Sequence, residues 1–343
     1  MYREQLLYLV SSVCTRIVNH VRNVPKSFDK ILLIKLDEIG DMIYTLHALK
    51  AVRQFHPESE ITICCKEVNA TLLKNEGVTD HTVHSLSGLN RDFDLIIDLR
   101  GNWKSLGLSL LNSKAYRLDR GTIRIKNKLN GKQLHEVYTN WEVIKPILPD
   151  NAPFHFPKMT TTKDTKNSTG SKLSKLRVDK FVVMHCGARD VARRWPADRF
   201  SKICDFINKT YHLPVLLVGS ESEKDLTEEV KLKSIDGKVI NIAGSTSLLE
   251  LAEICNKSEF FVGNESGPLH FAVIAQKPLV AIFGPGVKDV FYPLYEHQKV
   301  IHKFLSKGHY NQTAENSSIL QVTEEEVQQA ILEVCPPTSI AGE

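Results

Sequence analysis

The chain has 343 residues, 42% apolar and 24% charged, with a formal net charge of +4. That length suits two hydrophobic cores better than one, and the composition excludes a disordered chain. The small basic excess excludes a dedicated nucleic-acid binder but suits a polyanionic substrate or an anionic membrane surface.

The N-terminal segment, residues 1–28, predicts an amphipathic helix. Leu6, Leu9, Val10, Val13, Ile17 and Val21 recur at helical spacing, with Arg3, Arg16, Arg22 and Lys26 among them. It lacks the uninterrupted apolar block and small-residue cleavage site of a signal peptide. Two readings stand: a helix lying on a membrane surface, or one packed on the domain it precedes. No run of about 18 apolar residues is present to span a bilayer.

KILLIKL at 30–36 is a short, nearly continuous apolar run, as expected of a parallel strand buried on both faces. DEIGDM follows. A helical pattern then runs through Leu46, Leu49, Val52 and Phe55 to a stop at His56-Pro57, and EITICC at 60–65 is the next strand. DLIIDL at 94–99 ends in Arg100-Gly101-Asn102. Residues 158–177 are rich in Thr, Ser and Lys. They predict a linker over 161–178, between an N-terminal domain at 1–160 and a C-terminal domain at 179–322. In the second half strands at 180–187, 214–220, around 239–244, 259–264 and 278–284 alternate with helical patterns. A last helix covers 323–335, with Thr323 as its cap and Glu324 to Glu326 at its positive end. Alternation in both halves predicts two doubly wound α/β domains, whose ligands bind beyond the carboxyl ends of the strands.

Four clusters sit at such ends. In Asp37-Glu38-Ile39-Gly40-Asp41, Gly40 permits a tight backbone, and Asp41 is placed either to take a proton from a hydroxyl or to cap the helix. In His185-Cys186-Gly187-Ala188-Arg189-Asp190, the amides around Gly187 and Ala188 suit phosphate oxygens. Arg193 and Arg194 follow as cations for a diphosphate, ahead of Trp195 and Pro196; the alternative is a solvated basic loop. In Gly263-Asn264-Glu265-Ser266-Gly267-Pro268-Leu269-His270, the helix start at Ser266-Gly267 suits phosphate and Glu265 suits sugar hydroxyls. His270 reads as structural or catalytic. Glu221 and Glu223, after the strand PVLLVGS, are either ribose ligands or favourable acids at a helix start. Arg100 is a further candidate for an anionic ligand. The seven cysteines are scattered, without metal-ligand spacing, and read as reduced and structural.

Three stretches together resemble glycosyltransferase family 9, the ADP-heptose:lipopolysaccharide heptosyltransferases. They are KILLIKLDEIGDMIYTLHALKAVRQFHP, VVMHCGARDVARRWPADRF and NIAGSTSLLELAEICNKSEFFVGNESGPLHFAVIAQKPLVAIFGP. The resemblance implies an α/β GT-B fold, with two Rossmann-like domains facing each other across a cleft. The donor would be held mainly by the second domain and the acceptor by the first. It implies an inverting transfer that needs no metal or other cofactor, with a nucleotide-sugar donor as substrate. The acceptor would be a lipid-linked or lipopolysaccharide-type glycan, met in the cytoplasm or at the cytoplasmic face of the inner membrane. The family's base falls on Asp41, with Gly40 and Arg100 on the acceptor side. Its phosphate-binding lysine falls on Arg193, its acidic donor motif on Glu265-Ser266-Gly267, and its histidine on His270. His47 stands where the family often has proline, and Glu265 reaches one methylene further than the usual aspartate. A nucleotide-sugar epimerase or hydrolase, and a non-catalytic nucleotide-sugar-binding protein, are the alternatives at this stage.

Overall fold

A computed structural model describes residues 2–20, 24–25, 27–89, 92–111, 115–132, 134–235, 237–285, 292–303 and 312–337. The chain divides into two compact units, Met1–Thr160 and Thr161–Glu343.

The first unit opens with α1 (Tyr2–His20). Val21, Arg22 and Lys26 of the expected amphipathic pattern lie outside the described residues. Five strands follow: β1 (Lys30–Lys35), β2 (Glu60–Cys65), β3 (His81–Val83), β4 (Leu95–Asp98) and β5 (Tyr116–Asp119). They form one parallel sheet in the order β3-β2-β1-β4-β5, with Ile31 in register with Ile61 on one side and Leu95 on the other. Helices α2 (Ile39–Ile43), α3 (Leu46–Phe55), α4 (Glu67–Leu73), α5 (Trp103–Leu111), α6 (Arg120–Leu129) and α7 (Glu136–Ile144) make the crossovers and flanks. Burial on both faces explains the unbroken apolar runs: Ile31 to Ile34 and Leu95 to Ile97 are fully buried.

The second unit begins with a helix where the sequence predicts a linker. Helix α8 (Lys163–Leu176) is capped by Thr162, whose hydroxyl accepts from Thr165 N, and ends on Arg177 in the left-handed conformation (φ 55°). The composition misleads because the buried stripe of α8 is Thr165, Thr169 and Leu173, with little apolar signal. It is tied to the helix at Leu248–Lys257 by polar bonds: Lys172 Nζ to Glu250 Oε2 at 2.7 Å and Ser168 Oγ to Glu250 Oε1 at 2.5 Å.

Six strands follow: β6 (Val182–His185), β7 (Val215–Leu217), β8 (Val239–Asn241), β9 (Phe261–Asn264), β10 (Leu279–Phe283) and β11 (Gln298–His302). All are parallel, in the order β11-β10-β9-β6-β7-β8. This is the dinucleotide-fold order, with the reversal between the first strand, β6, and the fourth, β9. Helices α9 (Ala197–Tyr211), α10 (Lys224–Lys233), α11 (Leu248–Lys257), α12 (Gly267–Ile274) and α13 (Glu324–Val334) cover it. Trp195 fills the core, edge-on to Phe200 at 5.0 Å, with its indole N–H donating to Val322 O at 3.0 Å. Thr323 and Glu326 form a reciprocal capping box on α13. Among the described residues no helix is long and apolar enough to cross a membrane.

Candidate functional site

In each unit the sheet reverses its strand order at one place, and the charged loops gather there. In the first unit this is between β1 and β4. Asp37 and Asp41 follow β1, and Arg100 follows β4.

Glu38, not Asp41, is the N-cap of α2. Asp41 occupies the third helical position, where it does not serve as the cap. Gly40 is buried within the same turn and has no positive φ; the turn is made by extended backbone at Glu38 (φ −77°, ψ 173°), so the expected tight glycine turn is replaced by ordinary helix. Burial pushes the Asp41 carboxyl up from its ordinary value, and Asp37 and Glu136 push the same way. Lys35 and Arg120 oppose them.

Those four groups belong to a buried ionic network. Lys35 Nζ lies 3.1 Å from Asp37 Oδ2 and 3.2 Å from Glu136 Oε1. Glu136 Oε2 also receives Arg120 at 2.7 Å and Arg124 at 3.0 Å. Burial alone would raise the Glu136 carboxyl, but Arg120, Lys35 and Arg124 outweigh it and hold it at about 2. Arg100 donates to Asp37 Oδ1 at 2.5 Å while its side chain is 43% exposed. His47 is buried against Trp141 and Phe154, and burial lowers it to about 3, so it is a neutral packing group. Sequence reasoning passed over Lys35, Arg120 and Glu136. Only Lys35 left a signal, as a cation inside a strand that is otherwise apolar.

In the second unit the loops after β6, β7 and β9 form a connected polar lattice. Asn264, fully buried, donates to Cys186 O at 2.7 Å and accepts from Trp195 N at 3.2 Å, which holds the β6 loop to the end of β9. Ser266 Oγ lies 2.8 Å from His185 Nδ1, and His185 Nε2 lies 3.4 Å from Glu223 Oε1. Glu223 in turn accepts from Ser220 N at 2.8 Å. Burial would raise Glu223, yet His185 and Ser220 hold it at about 2. A chain of contacts thus joins Glu223, His185 and Ser266 across three strand ends. His185 and Asn264 belong to the strand-end clusters, but the sequence pattern alone assigns neither a role.

Gly187 has a steric reason here. A Cβ on it would sit 1.8 Å from Glu223 Oε1. Ala188 is buried, and its carbonyl accepts from Arg194 Nε at 2.7 Å. Arg194 therefore ties down its own loop. Arg193, 38% exposed, places Nη1 3.5 Å from Glu265 Oε1. Burial raises Glu265 to about 7, against the pull of Arg193. Its other carboxyl oxygen is buried without a hydrogen-bond partner.

Ser266 is the N-cap residue of α12, but its hydroxyl is turned to His185 and does not cap. The space where a Gly267 side chain would lie is open. An uncapped helix start beside a cation and an open approach is suited to a phosphate group. His270 is buried in the first turns of α12. Glu221 is largely exposed, paired with Lys224 at 3.3 Å, and lies over Gly244, whose φ is +73°. Glu221 and Glu223 thus differ: Glu223 is locked into the lattice and Glu221 faces solvent. No group of three or more described His, Cys, Asp or Glu residues is placed to hold a metal ion.

Two parallel α/β units, the second with the dinucleotide-fold strand order, give the chain the fold of the GT-B class. The model of glycosyltransferase family 9 (heptosyltransferase) matches residues 84–323, and the chain belongs to that family. Among its relatives, lipooligosaccharide heptosyltransferase 2 of Haemophilus ducreyi is 25% identical, over 81% of this chain and 90% of that one. Lipopolysaccharide heptosyltransferase 1 of Campylobacter coli is 23% identical, over 76% and 86%. Among solved structures, a family 9 glycosyltransferase from Veillonella parvula superposes with a TM-score of 0.75 at 19% identity, over 91% of this chain and 98% of that one. Heptosyltransferase II of E. coli gives 0.68 at 21%, over 89% and 98%.

Proposed function

We propose that this enzyme transfers a heptose or a related sugar, with inversion, from a nucleoside-diphosphate donor to a lipopolysaccharide-core or other lipid-linked glycan. ADP-heptose is the donor favoured by the relatives: the E. coli structures that share the fold were solved with ADP and with a fluorinated ADP-heptose.

The observation that carries the reading is the open, uncapped start of α12 beside Arg193 and Glu265, at the strand-order reversal of the second unit. In this reading the donor diphosphate sits there. Asp41 of the first unit takes the proton of the acceptor hydroxyl. That oxygen attacks the anomeric carbon opposite the diphosphate, and the bond from that carbon to the phosphate oxygen breaks. Arg193 and the amides near Ser266-Gly267 and Gly187-Ala188 take up the charge of the leaving diphosphate, so the mechanism needs no metal. The raised Asp41 carboxyl is a better base than an ordinary aspartate. Glu221 is the ribose ligand, since Glu223 is engaged by His185. The seven cysteines are all free thiols, which supports a reducing, cytoplasmic location. A lipid-linked acceptor brings the enzyme to the inner face of the membrane.

Incubation with a panel of nucleotide sugars, with and without lipid-linked acceptor, tests the reading. ADP release that depends on acceptor, with an inverted anomeric product, is expected. Asp41→Asn is expected to lower kcat by about 10²–10⁴-fold while ADP binding holds. Acceptor-independent release would make the enzyme a hydrolase, and equal loss of binding and turnover would make Asp41 structural.

A further inference from the structure

Helix α1 is amphipathic in the reverse sense. The side it turns to the first unit is mainly polar, with Leu7 as its buried apolar residue. Ser11 and Thr15 donate to Asp119 at 2.9 and 2.6 Å, and Arg117 donates to both hydroxyls. The Asn19 side chain makes paired bonds with the backbone of Arg117, at 2.6 and 3.0 Å, which covers the free edge of β5. Ser11, Ser12 and Thr15 are buried. The other side carries Leu6, Leu9, Val13 and Ile17, each 48–66% exposed, at spacings of three and four residues. Such a stripe normally faces a core. Here hydroxyls and an amide, with Leu7, occupy the core side, and the stripe is left facing out.

The surroundings state what would cover it. Arg16 is exposed beside Ile17. Helix α1 packs on α5, β5 and α6; Arg117, Arg120 and Arg124 of these elements pair with buried carboxylates, which leaves the lysines for the surface. Lys104, Lys126, Lys128 and Lys132 are exposed, as are Trp103 and Leu129. The whole positive excess lies in this unit: residues 1–160 hold 22 basic and 17 acidic side chains, and residues 161–343 hold 22 and 23.

We infer that the outer face of α1, with the basic helices that flank it, is the surface by which this enzyme lies on an anionic lipid bilayer. Leu6, Leu9, Val13 and Ile17 enter the boundary between headgroups and acyl chains, and the lysines meet the negative headgroups. The lipid-linked acceptor of the proposed reaction supplies the purpose of this contact; its geometry stands apart from that reading.

Deleting α1 would uncover Arg117 and Asp119, so the test uses point variants in the full-length protein. Wild type is expected to co-sediment with vesicles rich in phosphatidylglycerol, weakly with pure phosphatidylcholine, and less as salt rises. The variant L9D/V13D/I17D is expected to lose at least about tenfold in partition, and K126E/K128E roughly as much on the anionic vesicles. Both should keep the wild-type Tm and turn over a water-soluble acceptor normally. Unchanged partition, or indifference to lipid charge, overturns the inference. So does a wild-type dimer in sedimentation velocity that L9D/V13D/I17D abolishes, since the face would then bind a second copy. Vesicle binding without any sugar transfer would count against the proposed reaction and leave this surface standing.

Discussion

Glu265 and Arg193 share one small site, and their charges set how it responds to pH. Burial holds Glu265 at about 7, so its carboxyl changes charge near neutrality. Above that pH the carboxylate, 3.5 Å away, competes for Arg193 with an incoming phosphate. Below it the neutral acid releases Arg193 and can itself donate a hydrogen bond. Affinity for ADP is therefore expected to strengthen as pH falls through 7, by roughly tenfold for a coupling of about 1.4 kcal/mol. Calorimetric titration across neutral pH measures it, and Glu265→Gln should flatten the profile. Stability follows the same sign. The folded carboxyl titrates above its ordinary 4.5, so its contribution is fully present below that value and is lost as pH rises through about 7. A Tm that falls over this range in wild type and not in Glu265→Gln would agree. Gly187→Ala probes the neighbouring contact. Its Cβ would collide with Glu223 Oε1, which Ser220 holds in place, and so push Glu223 from His185. Weaker ADP binding with little change in Tm is the expected outcome.

At the scale of elements, β6 and β9 must run close together for the lattice at their ends to form. A Cβ on Gly263 would lie 2.8 Å from the carbonyl of His185, a backbone atom that cannot swing away. Gly263→Ala is expected to cost about 1–3 kcal/mol in urea unfolding, as overpacking does. The strands that carry sites were legible in the sequence because burial on both faces makes them apolar runs that end in glycine and charge. Strand EITICC at 60–65 has the bounds that its pattern predicts. Elements that bury polar groups were not legible. Strand β5, YRLD, carries Arg117 and Asp119 into the interior and has no apolar run to announce it. Helix α8 hides a threonine stripe inside a composition typical of linkers. In α1 the apolar pattern gave the helix correctly but left its orientation open, because the partners of Ser11 and Thr15 lie about a hundred residues away. The ionic network around Lys35 was invisible for the same reason: Glu136 is distant in sequence and looks like any helix-start acid.

Across the whole molecule, each unit holds its own charged centre, and the two centres answer to different perturbations. The first unit depends on Glu136, which offsets Lys35, Arg120 and Arg124 at once. Glu136→Leu leaves buried cations without their partner and is expected to destabilise that unit by about 3–5 kcal/mol. The loss should show as earlier protease cleavage within residues 1–160 than within 161–343. The second unit depends on its ligand. If the diphosphate is held at the ends of β6 and β9, ADP at a hundred times its dissociation constant should add about 2.7 kcal/mol to that unit's stability. Amide exchange should then slow at residues 185–194 and 263–270, where the loop amides and the first turn of α12 meet phosphate. The buried strands β1 and β4 of the first unit should exchange as before. Protection around Asp41 and Arg100 instead would move the diphosphate to the first unit. Asp41 would then be a phosphate neighbour, a role its carboxylate disfavours, and the assignment of base and donor site would have to be exchanged.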